Sequence, residues 1–193
     1  SETPMLWEPL RYLESCPSSD GACAMVITSE EMVGSKKVAW IKGMALRSEG
    51  TLSAGRDEVN PQAGIDCAKD IYQQAGIHNP RKEIDCAEIY VPFSWYEPMW
   101  LENLGFCELG EGWKLTDDGV TRLDGSLPVN MSGGVLSSNP IGASGMIRFG
   151  EAALQVMGLA EDHQVEDANI AMGHAYGGAA QFFAMWIVSS SKN

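Results

Sequence analysis

Basic residues are scarce in this 193-residue sequence: 13 Lys and Arg stand against 26 Asp and Glu, which gives a formal net charge of −13. An excess of negative charge repels phosphate backbones and anionic lipid headgroups, so we expect binding to neither nucleic acids nor membrane surfaces. Long apolar runs are also missing, and none approaches the ~20 residues of a bilayer-spanning helix. Residues 1–4 contain neither the basic nor the apolar region of a secretory signal.

Regularly spaced cysteines are missing as well. The five cysteines are an odd number, and no two of them have CxxC spacing: Cys16, Cys23, Cys67, Cys86 and Cys107. This pattern fits neither a disulfide scaffold nor a zinc ribbon, and metal ligands at tetrahedral spacing are absent. We therefore expect a reduced, cytoplasmic protein without a metal site.

The sequence does contain a regular alternation of short apolar segments with amphipathic ones. Strands are predicted at 22–28, 38–45, 84–91, 169–172 and 181–188, and helices at 61–75, 94–104 and 145–158. Asn60 is the predicted cap of the first helix, and Gly76 is its predicted end. This alternation predicts one layered α/β domain, which at this length buries roughly 70% of the surface of the unfolded chain.

The first segment that could carry chemistry is a loop of small residues that leads directly into the third predicted helix. Its candidate binding residues are Ser132, Gly133, Gly142, Ala143 and Ser144. Small residues let a backbone approach a ligand, and a helix N-terminus offers N–H groups to an anion or an oxyanion. The alternative is a tight connection in which the glycines only satisfy turn geometry.

Two further segments could contribute side chains. His174 and Tyr176, with Gly177 and Gly178, lie on a predicted glycine turn between two apolar strands, where they could act as an acid/base pair or simply pack. Tyr90 lies at a strand-to-helix junction, a place where ligands bind in open α/β sheets, although a core tyrosine is the alternative.

Read together, these segments resemble the C-terminal part of the thiolase superfamily over nearly the entire chain. Four stretches resemble family motifs in the right order: Asp20–Ala24 the Asn-Asp-Gly-Ala-Ala-Ala stretch, 88–93 the Asn-Glu-Ala-Phe motif, 138–145 the Gly-His-Pro loop, and 174–178 the Cys-x-Gly-Gly-Gly loop. The most similar subgroup is the sterol-carrier-protein-x and lipid-transfer-protein type, whose members are often called acetyl-CoA acetyltransferases.

This resemblance implies a layered α-β-α fold with a mixed sheet and helices on both faces. It implies that 1–33 is the end of the N-terminal thiolase domain and 34–193 the C-terminal domain. It also implies coenzyme A as substrate or product, an acyl-CoA substrate, no covalently bound cofactor, a homodimer, and for some members a small zinc-ribbon and OB-fold partner. Because no segment resembles the nucleophilic-cysteine segment, we expect the N-terminal thiolase half outside this chain. We interpret the chain as a fragment; the alternative is that its N-terminal half is a separate polypeptide.

Three departures from the family pattern affect the expected chemistry. Asn139 replaces the histidine of the Gly-His-Pro loop, His174 replaces the second cysteine, and Tyr90 replaces the first Asn of Asn-Glu-Ala-Phe. An amide can donate a hydrogen bond to a thioester oxygen but cannot take a proton from a thiol. We expect His174 to transfer the proton at the α-carbon, Asn139 to stabilise the oxyanion, and Tyr90 to orient the substrate.

Three functions remain open from the sequence. The first is a thiolase-like acyltransferase that makes or breaks a C–C bond in a CoA thioester. The second is a retro-aldolase on a β-hydroxyacyl-CoA, favoured by Tyr90 and by the loss of the loop histidine. The third is a non-catalytic lipid or acyl-CoA carrier, or a scaffold subunit.

Overall fold

The computed structural model describes residues 3–192, and its central feature is a four-stranded mixed sheet. A separate antiparallel pair of short strands, β1 (Met5–Trp7) and β2 (Leu10–Arg11), precedes it. The main sheet has the order β3–β6–β5–β4, in which β6 is antiparallel to both of its neighbours and β4 is parallel to β5. Its strands are β3 (Trp40–Ser48), β4 (Cys86–Glu88), β5 (Ile170–Gly177) and β6 (Phe182–Ser189).

Within the same described range, two long helices frame this sheet and four short ones connect it. They are α1 (Gln62–Ala75), α2 (Pro80–Glu83), α3 (Tyr96–Asn103), α4 (Gly112–Asp117), α5 (Gly134–Ser137) and α6 (Ser144–Met157). The long helices α1 and α6 each end at a glycine in the left-handed conformation, Gly76 (φ 70°) and Gly158 (φ 66°). The predicted end of the first helix is therefore confirmed.

The two faces of the sheet bury two different sets of side chains. Phe183, Met185 and Ile187 alternate along β6 and pack with α1 and α3, whereas the intervening Trp186 and Val188 pack with α6. Side chains of a strand point alternately to opposite faces, so each long helix packs against a different face. The prediction of a layered α-β-α fold with helices on both faces is confirmed.

Several predicted boundaries differ from the observed ones. The first helix begins at Gln62 after Pro61, without a side-chain cap from Asn60. The strand predicted at 84–91 is only Cys86–Glu88, and the strand predicted at 169–172 extends to Gly177. The second difference moves His174 from a glycine turn into the sheet, because antiparallel pairing with β6 continues through that residue.

The strand predicted at 22–28 is wrong. This segment has no regular secondary structure and is mostly exposed, with Val26 at 93% and Ile27 at 72%. Strands form by pairing with a neighbour, and an apolar pattern alone supplies no partner. Instead, residues of this segment line an apolar groove of about 590 Å³ against α6 and the start of β3.

The described residues also bear on membranes and metals. Within 3–192, the helices are all too short or too polar to span a bilayer. Over the same range, no three His, Cys, Asp or Glu side chains gather as metal ligands would.

Candidate functional site

The candidate site lies where the parallel strands β4 and β5 end, and Tyr90 is its central residue. The Tyr90 phenol donates a hydrogen bond to Asn139 Oδ1 at 3.0 Å. Ser144, the first residue of α6, donates to the same oxygen at 2.7 Å. The structure therefore brings together three of the predicted residues, from the β4–α3 junction and the glycine loop.

The side-chain nitrogen of Asn139 contacts Cys16, a residue that the sequence analysis did not select. Asn139 Nδ2 donates to Cys16 Sγ at 3.2 Å, and the Asn139 backbone amide donates to Ser19 Oγ at 3.3 Å. Cys16 reaches this position because its own amide donates to Pro92 O at 2.9 Å, beside the bridge between Ser15 and Phe93. The sequence signal that could have identified Cys16 is its position, four residues before the Asp20–Ala24 stretch that resembles a thiolase motif.

His174 is also next to Tyr90, but through the backbone. The Tyr90 amide donates to His174 Nδ1 at 3.3 Å, which leaves the ring proton on Nε2, and no partner for Nε2 is found among residues 3–192. The side chain is completely buried, and burial lowers its pKa to about 3. His174 is therefore a neutral imidazole at physiological pH.

Aromatic rings form one wall of the site. Tyr176 contacts Tyr90 edge to face with 5.1 Å between ring centroids, and it also packs on Trp100 at 5.0 Å and on Tyr96 at 5.5 Å. Trp100 Nε1 donates to Tyr90 O at 2.9 Å. Burial raises the pKa of both Tyr90 and Tyr176, and a hydrogen bond with Tyr96 adds to the effect on Tyr176. Both phenols are protonated near neutral pH.

A buried ion pair between β4 and α6 stabilises the candidate site. Arg148 Nη1 lies 2.5 Å from Glu88 Oε2, and neither side chain is more than 4% exposed. Ser132 joins the pair: its backbone amide and its hydroxyl donate to the two Glu88 oxygens, at 3.1 and 2.9 Å. Because Glu88 is two residues before Tyr90, this pair ties α6 and the glycine loop to the strand that carries the phenol.

The other predicted binding residues lie around this cluster. Gly133 adopts φ 87° just before α5, and Gly142 lies in an exposed stretch. The amides of Ala143 and Ser144 both donate to Pro140 O, so these two N–H groups at the start of α6 are already used. Gly177 ends β5, and Gly178 (φ 59°) begins the turn to β6.

Comparison with known proteins identifies the family of this chain. The family model described as thiolase C-terminal domain-like matches residues 46–190. The chain belongs to this thiolase family. Its resemblance to the thiolase superfamily is therefore confirmed.

Three relatives illustrate the similarity of this thiolase-like chain to longer proteins. It is 35% identical to an acetyl-CoA acetyltransferase of Methanothermobacter thermautotrophicus over 96% of this chain and 49% of that protein. It is 34% identical to the benzoylsuccinyl-CoA thiolase subunit BbsB of Thauera aromatica over 90% of this chain and 46% of that protein. For sterol carrier protein 2 of Oryctolagus cuniculus the values are 32%, 91% and 34%.

The thiolase-like chain thus spans half or less of the length of these relatives. Among solved structures, the Ltp2-ChsH2(DUF35) aldolase superposes with a TM-score of 0.84 and 25% identity, over all of this chain and 50% of that one. A monomeric SCP2-thiolase-like protein from Mycobacterium smegmatis has a TM-score of 0.56 and 19% identity, over 80% of this chain and 29% of that one, and shows the same fold.

Proposed function

We propose that this chain is the C-terminal part of an enzyme that makes or breaks a C–C bond next to the carbonyl of a CoA thioester. The family and the names of the relatives support this reaction class. The cluster of Tyr90, Asn139 and Ser144 supports it too, because polar groups at the ends of parallel strands are where α/β proteins bind ligands. Coenzyme A enters as part of the substrate or product and is not a bound cofactor.

Within this class, the geometry favours aldol cleavage of a β-hydroxyacyl-CoA. The observation that carries this choice is the hydrogen bond from the Tyr90 phenol to Asn139. Thiolase chemistry needs a base that takes a proton from a thiol, and an amide cannot do so. Aldol cleavage needs no acyl-cysteine, and the solved structure that superposes with a TM-score of 0.84 is named as an aldolase.

In the proposed step, a proton leaves the β-hydroxyl and the bond between the α- and β-carbons breaks. Its electron pair goes to the α-carbon side of the thioester, where a proton is added. Because the Tyr90 phenol is protonated at the start, it relays both protons in one concerted step: it gives its own proton to the α-carbon as it receives the proton of the β-hydroxyl, without a net change. The remaining Nδ2 hydrogen of Asn139 is available to the thioester oxygen.

The role of His174 in this proposal differs from the one expected from the sequence. Its Nδ1 already accepts the Tyr90 amide, and its burial lowers its pKa to about 3. A group with these properties is a poor base for an α-carbon proton. We assign it to positioning the backbone of Tyr90.

Product analysis tests the proposed reaction. The complete enzyme is incubated with a β-hydroxyacyl-CoA, with and without free CoA. We expect release of an aldehyde or ketone at the same rate in both reactions. Consumption of free CoA with shortening of a β-ketoacyl-CoA, or release of free CoA with condensation of two acyl-CoA molecules, would contradict the aldolase proposal and favour the second candidate, acyl transfer, which the relatives' names support.

A non-catalytic carrier or scaffold subunit is the third candidate. Its test is the double variant Tyr90→Phe, His174→Ala: full biological activity of that variant would favour a carrier, whereas complete loss supports an enzyme.

The free state of all five cysteines agrees with the cytoplasmic location that we propose.

Partners are also part of the proposal. We propose that the N-terminal thiolase half covers the apolar groove beside segment 22–28, that the boundary between the N-terminal and C-terminal thiolase domains lies near residue 33, and that the complete enzyme is a homodimer. The aldolase structure pairs two differently named proteins, which supports a small partner subunit.

A further inference from the structure

Three consecutive residues of the turn between β5 and β6 have positive φ angles. They are Gly178 (59°), Ala179 (52°) and Ala180 (60°). Only glycine adopts this region without a steric penalty, and for alanine the Cβ lies too close to the following carbonyl oxygen. Such a conformation persists only where the surroundings enforce it, and it is a feature of functional sites.

The surroundings here are supplied by Arg56, from the loop between β3 and α1. Its Nη1 donates to Ala180 O at 2.9 Å, and its Nη2 donates to Ala179 O. The same guanidinium also donates to Leu52 O, through Nε at 2.8 Å. One fork of donors thus holds the carbonyls of both strained alanines and a carbonyl of its own loop.

The loop that carries Arg56 is anchored on both sides. The Glu49 amide donates to Gln181 O at 2.8 Å, and the Glu49 carboxylate accepts the Ala63 amide at 2.7 Å, at the start of α1. Near the other end of the loop, Val59 O accepts Asn103 Nδ2 from α3 at 3.1 Å. The guanidinium therefore acts from a support that is connected to α1, α3 and the turn.

The strained turn begins at Gly178, two residues after Tyr176. The Tyr176 ring lies against Tyr90 and Trp100. Tyr176 and Gly177 pair with Phe183 and Phe182, the first residues after the turn, so the path of the chain through the turn affects this end of the pairing and with it the Tyr176 ring. Ala180 is itself 3% exposed and belongs to the same buried cluster as Trp100.

We infer that Arg56 is a positioning residue: it holds Ala179 and Ala180 in the left-handed conformation and thereby keeps Tyr176 against Tyr90. This inference rests on the proposed function, since Tyr90 is the proton relay in that proposal. Arg56 acts through the turn and touches none of the reacting groups.

Kinetics of the complete enzyme test the inference. We expect Arg56→Met to lower kcat about tenfold while KM changes less than twofold. The kcat of Arg56→Lys should be little higher than that of Arg56→Met, because a single ammonium group cannot bind both carbonyls with the geometry of the guanidinium. Arg122→Met, which removes an exposed ion pair with Asp124, is the matched control and should keep kcat. An effect on KM alone would mean that Arg56 binds substrate, and would overturn the positioning role.

A rescue experiment separates positioning from other roles of Arg56. In the Ala179→Gly, Ala180→Gly background the left-handed turn carries no penalty, so the clamp is less necessary. We expect Arg56→Met to cost only about twofold in kcat there, a coupling typical of residues in contact. Equal losses of kcat in both backgrounds would refute the inference.

A measurement without substrate keeps this inference separate from the proposed reaction. The Gln181 amide donates to Gly177 O and Gly178 O across the turn, at 3.0 and 3.1 Å. We expect hydrogen exchange of this amide to be at least tenfold faster in Arg56→Met than in the wild type. Unchanged exchange would overturn the role of Arg56 even in an active aldolase, whereas faster exchange in an enzyme that breaks no C–C bond of a β-hydroxyacyl-CoA would refute only the proposed function.

Discussion

At the scale of single residues, the Tyr90 phenol and the His174 imidazole differ in burial and in their hydrogen-bond partners. The phenol points to Asn139 and is half-buried, whereas the imidazole is completely buried and holds the Tyr90 amide. In the proposed reaction, the atom that contacts the substrate is therefore the phenol oxygen. The histidine is the residue that sequence reasoning selects first, because its ordinary pKa is near neutrality, and burial removes that advantage.

Removal of the phenol hydroxyl is the direct test of this assignment. Tyr90→Phe keeps the ring that packs on Tyr176 and removes only the hydroxyl, and with it the proposed proton relay and the hydrogen bond to Asn139. We expect kcat of the complete enzyme to fall about 10²-fold or more, with little change in KM. Tyr12→Phe, at a residue that is 59% exposed, is the control. A Tyr90→Phe enzyme with kcat near that of the control would exclude the relay.

His174 makes a separate prediction about stability. Its pKa is about 3 in the folded chain and about 6.5 in an unfolded one, so the unfolded state binds more protons between these values. The free energy of unfolding should therefore fall as pH drops from about 6.5 towards 3, by at most about 1.4 kcal/mol per pH unit from this group.

Urea unfolding between pH 4 and 7 measures that slope. His174→Gln should flatten it by up to about 1.4 kcal/mol per pH unit, because the variant has no titrating group in the buried position. The exposed His78→Gln is the control substitution. An identical pH dependence in His174→Gln and the wild type would show that the imidazole charges freely in the folded chain.

At the scale of elements, β5 depends on the absence of a side chain at Gly173. A Cβ built there would lie 1.9 Å from Trp186 Nε1 on the neighbouring strand. Since Trp186 packs on Phe149 of α6, it cannot move without disturbing the second layer. Gly173→Ala should lower the free energy of unfolding by at least about 1–3 kcal/mol, measured by urea unfolding.

The same strand offers a matched control for this substitution. A Cβ at Gly177 would meet open space, so Gly177→Ala should change stability by less than about 1 kcal/mol. Similar losses at the two positions would mean that backbone conformation matters more than the contact with Trp186.

The ion pair between β4 and α6 makes a prediction of its own. Glu88→Gln leaves the Arg148 charge buried without its partner, so we expect a loss of about 3–5 kcal/mol in the free energy of unfolding. Glu111→Gln removes an exposed pair with Lys114 and should cost less than about 1 kcal/mol. A loss at Glu88 no larger than at Glu111 would show that the buried pair is solvated in solution.

Which elements the sequence predicts correctly follows from how local their signals are. The helices α1 and α6 carry amphipathic patterns and end at Gly76 and Gly158, so the pattern predicts both within one or two residues. The extent of β5 depends on pairing with β6, which no local pattern contains. The contact of Cys16 with Asn139 depends on chain folding over a long sequence separation, so sequence reasoning misses it.

At the scale of the whole molecule, one face of the sheet is only half covered. The helix α6 covers β5 and part of β6, whereas apolar side chains on β3 and at the start of β6 remain exposed on the same face: Met44 at 59%, Leu46 at 77% and Phe182 at 53%. Segment 22–28 adds Val26 and Ile27 beside this face. Exposed apolar surface of this kind marks an interaction site or an aggregation risk.

We therefore expect the 193-residue chain alone to associate with itself, and substitution of this face to reduce that association. Ile27→Ser with Leu46→Ser should lower the weight-average mass in sedimentation equilibrium towards that of a monomer. Leu109→Ser, at a leucine that is 67% exposed and lies outside this face, is the control and should leave the mass unchanged.

In the complete enzyme the same double substitution should have the opposite consequence. If the other half of the protein covers this face, then two buried leucine-sized contacts are lost, and the melting temperature should fall by several degrees relative to the Leu109→Ser control. An unchanged melting temperature, together with a monomeric wild-type chain, would contradict the proposed cover. The two measurements together distinguish a face that is covered within the complete enzyme from an apolar face that only causes aggregation. In the first case the substitution both reduces association of the isolated chain and destabilises the complete enzyme. In the second case it only reduces association.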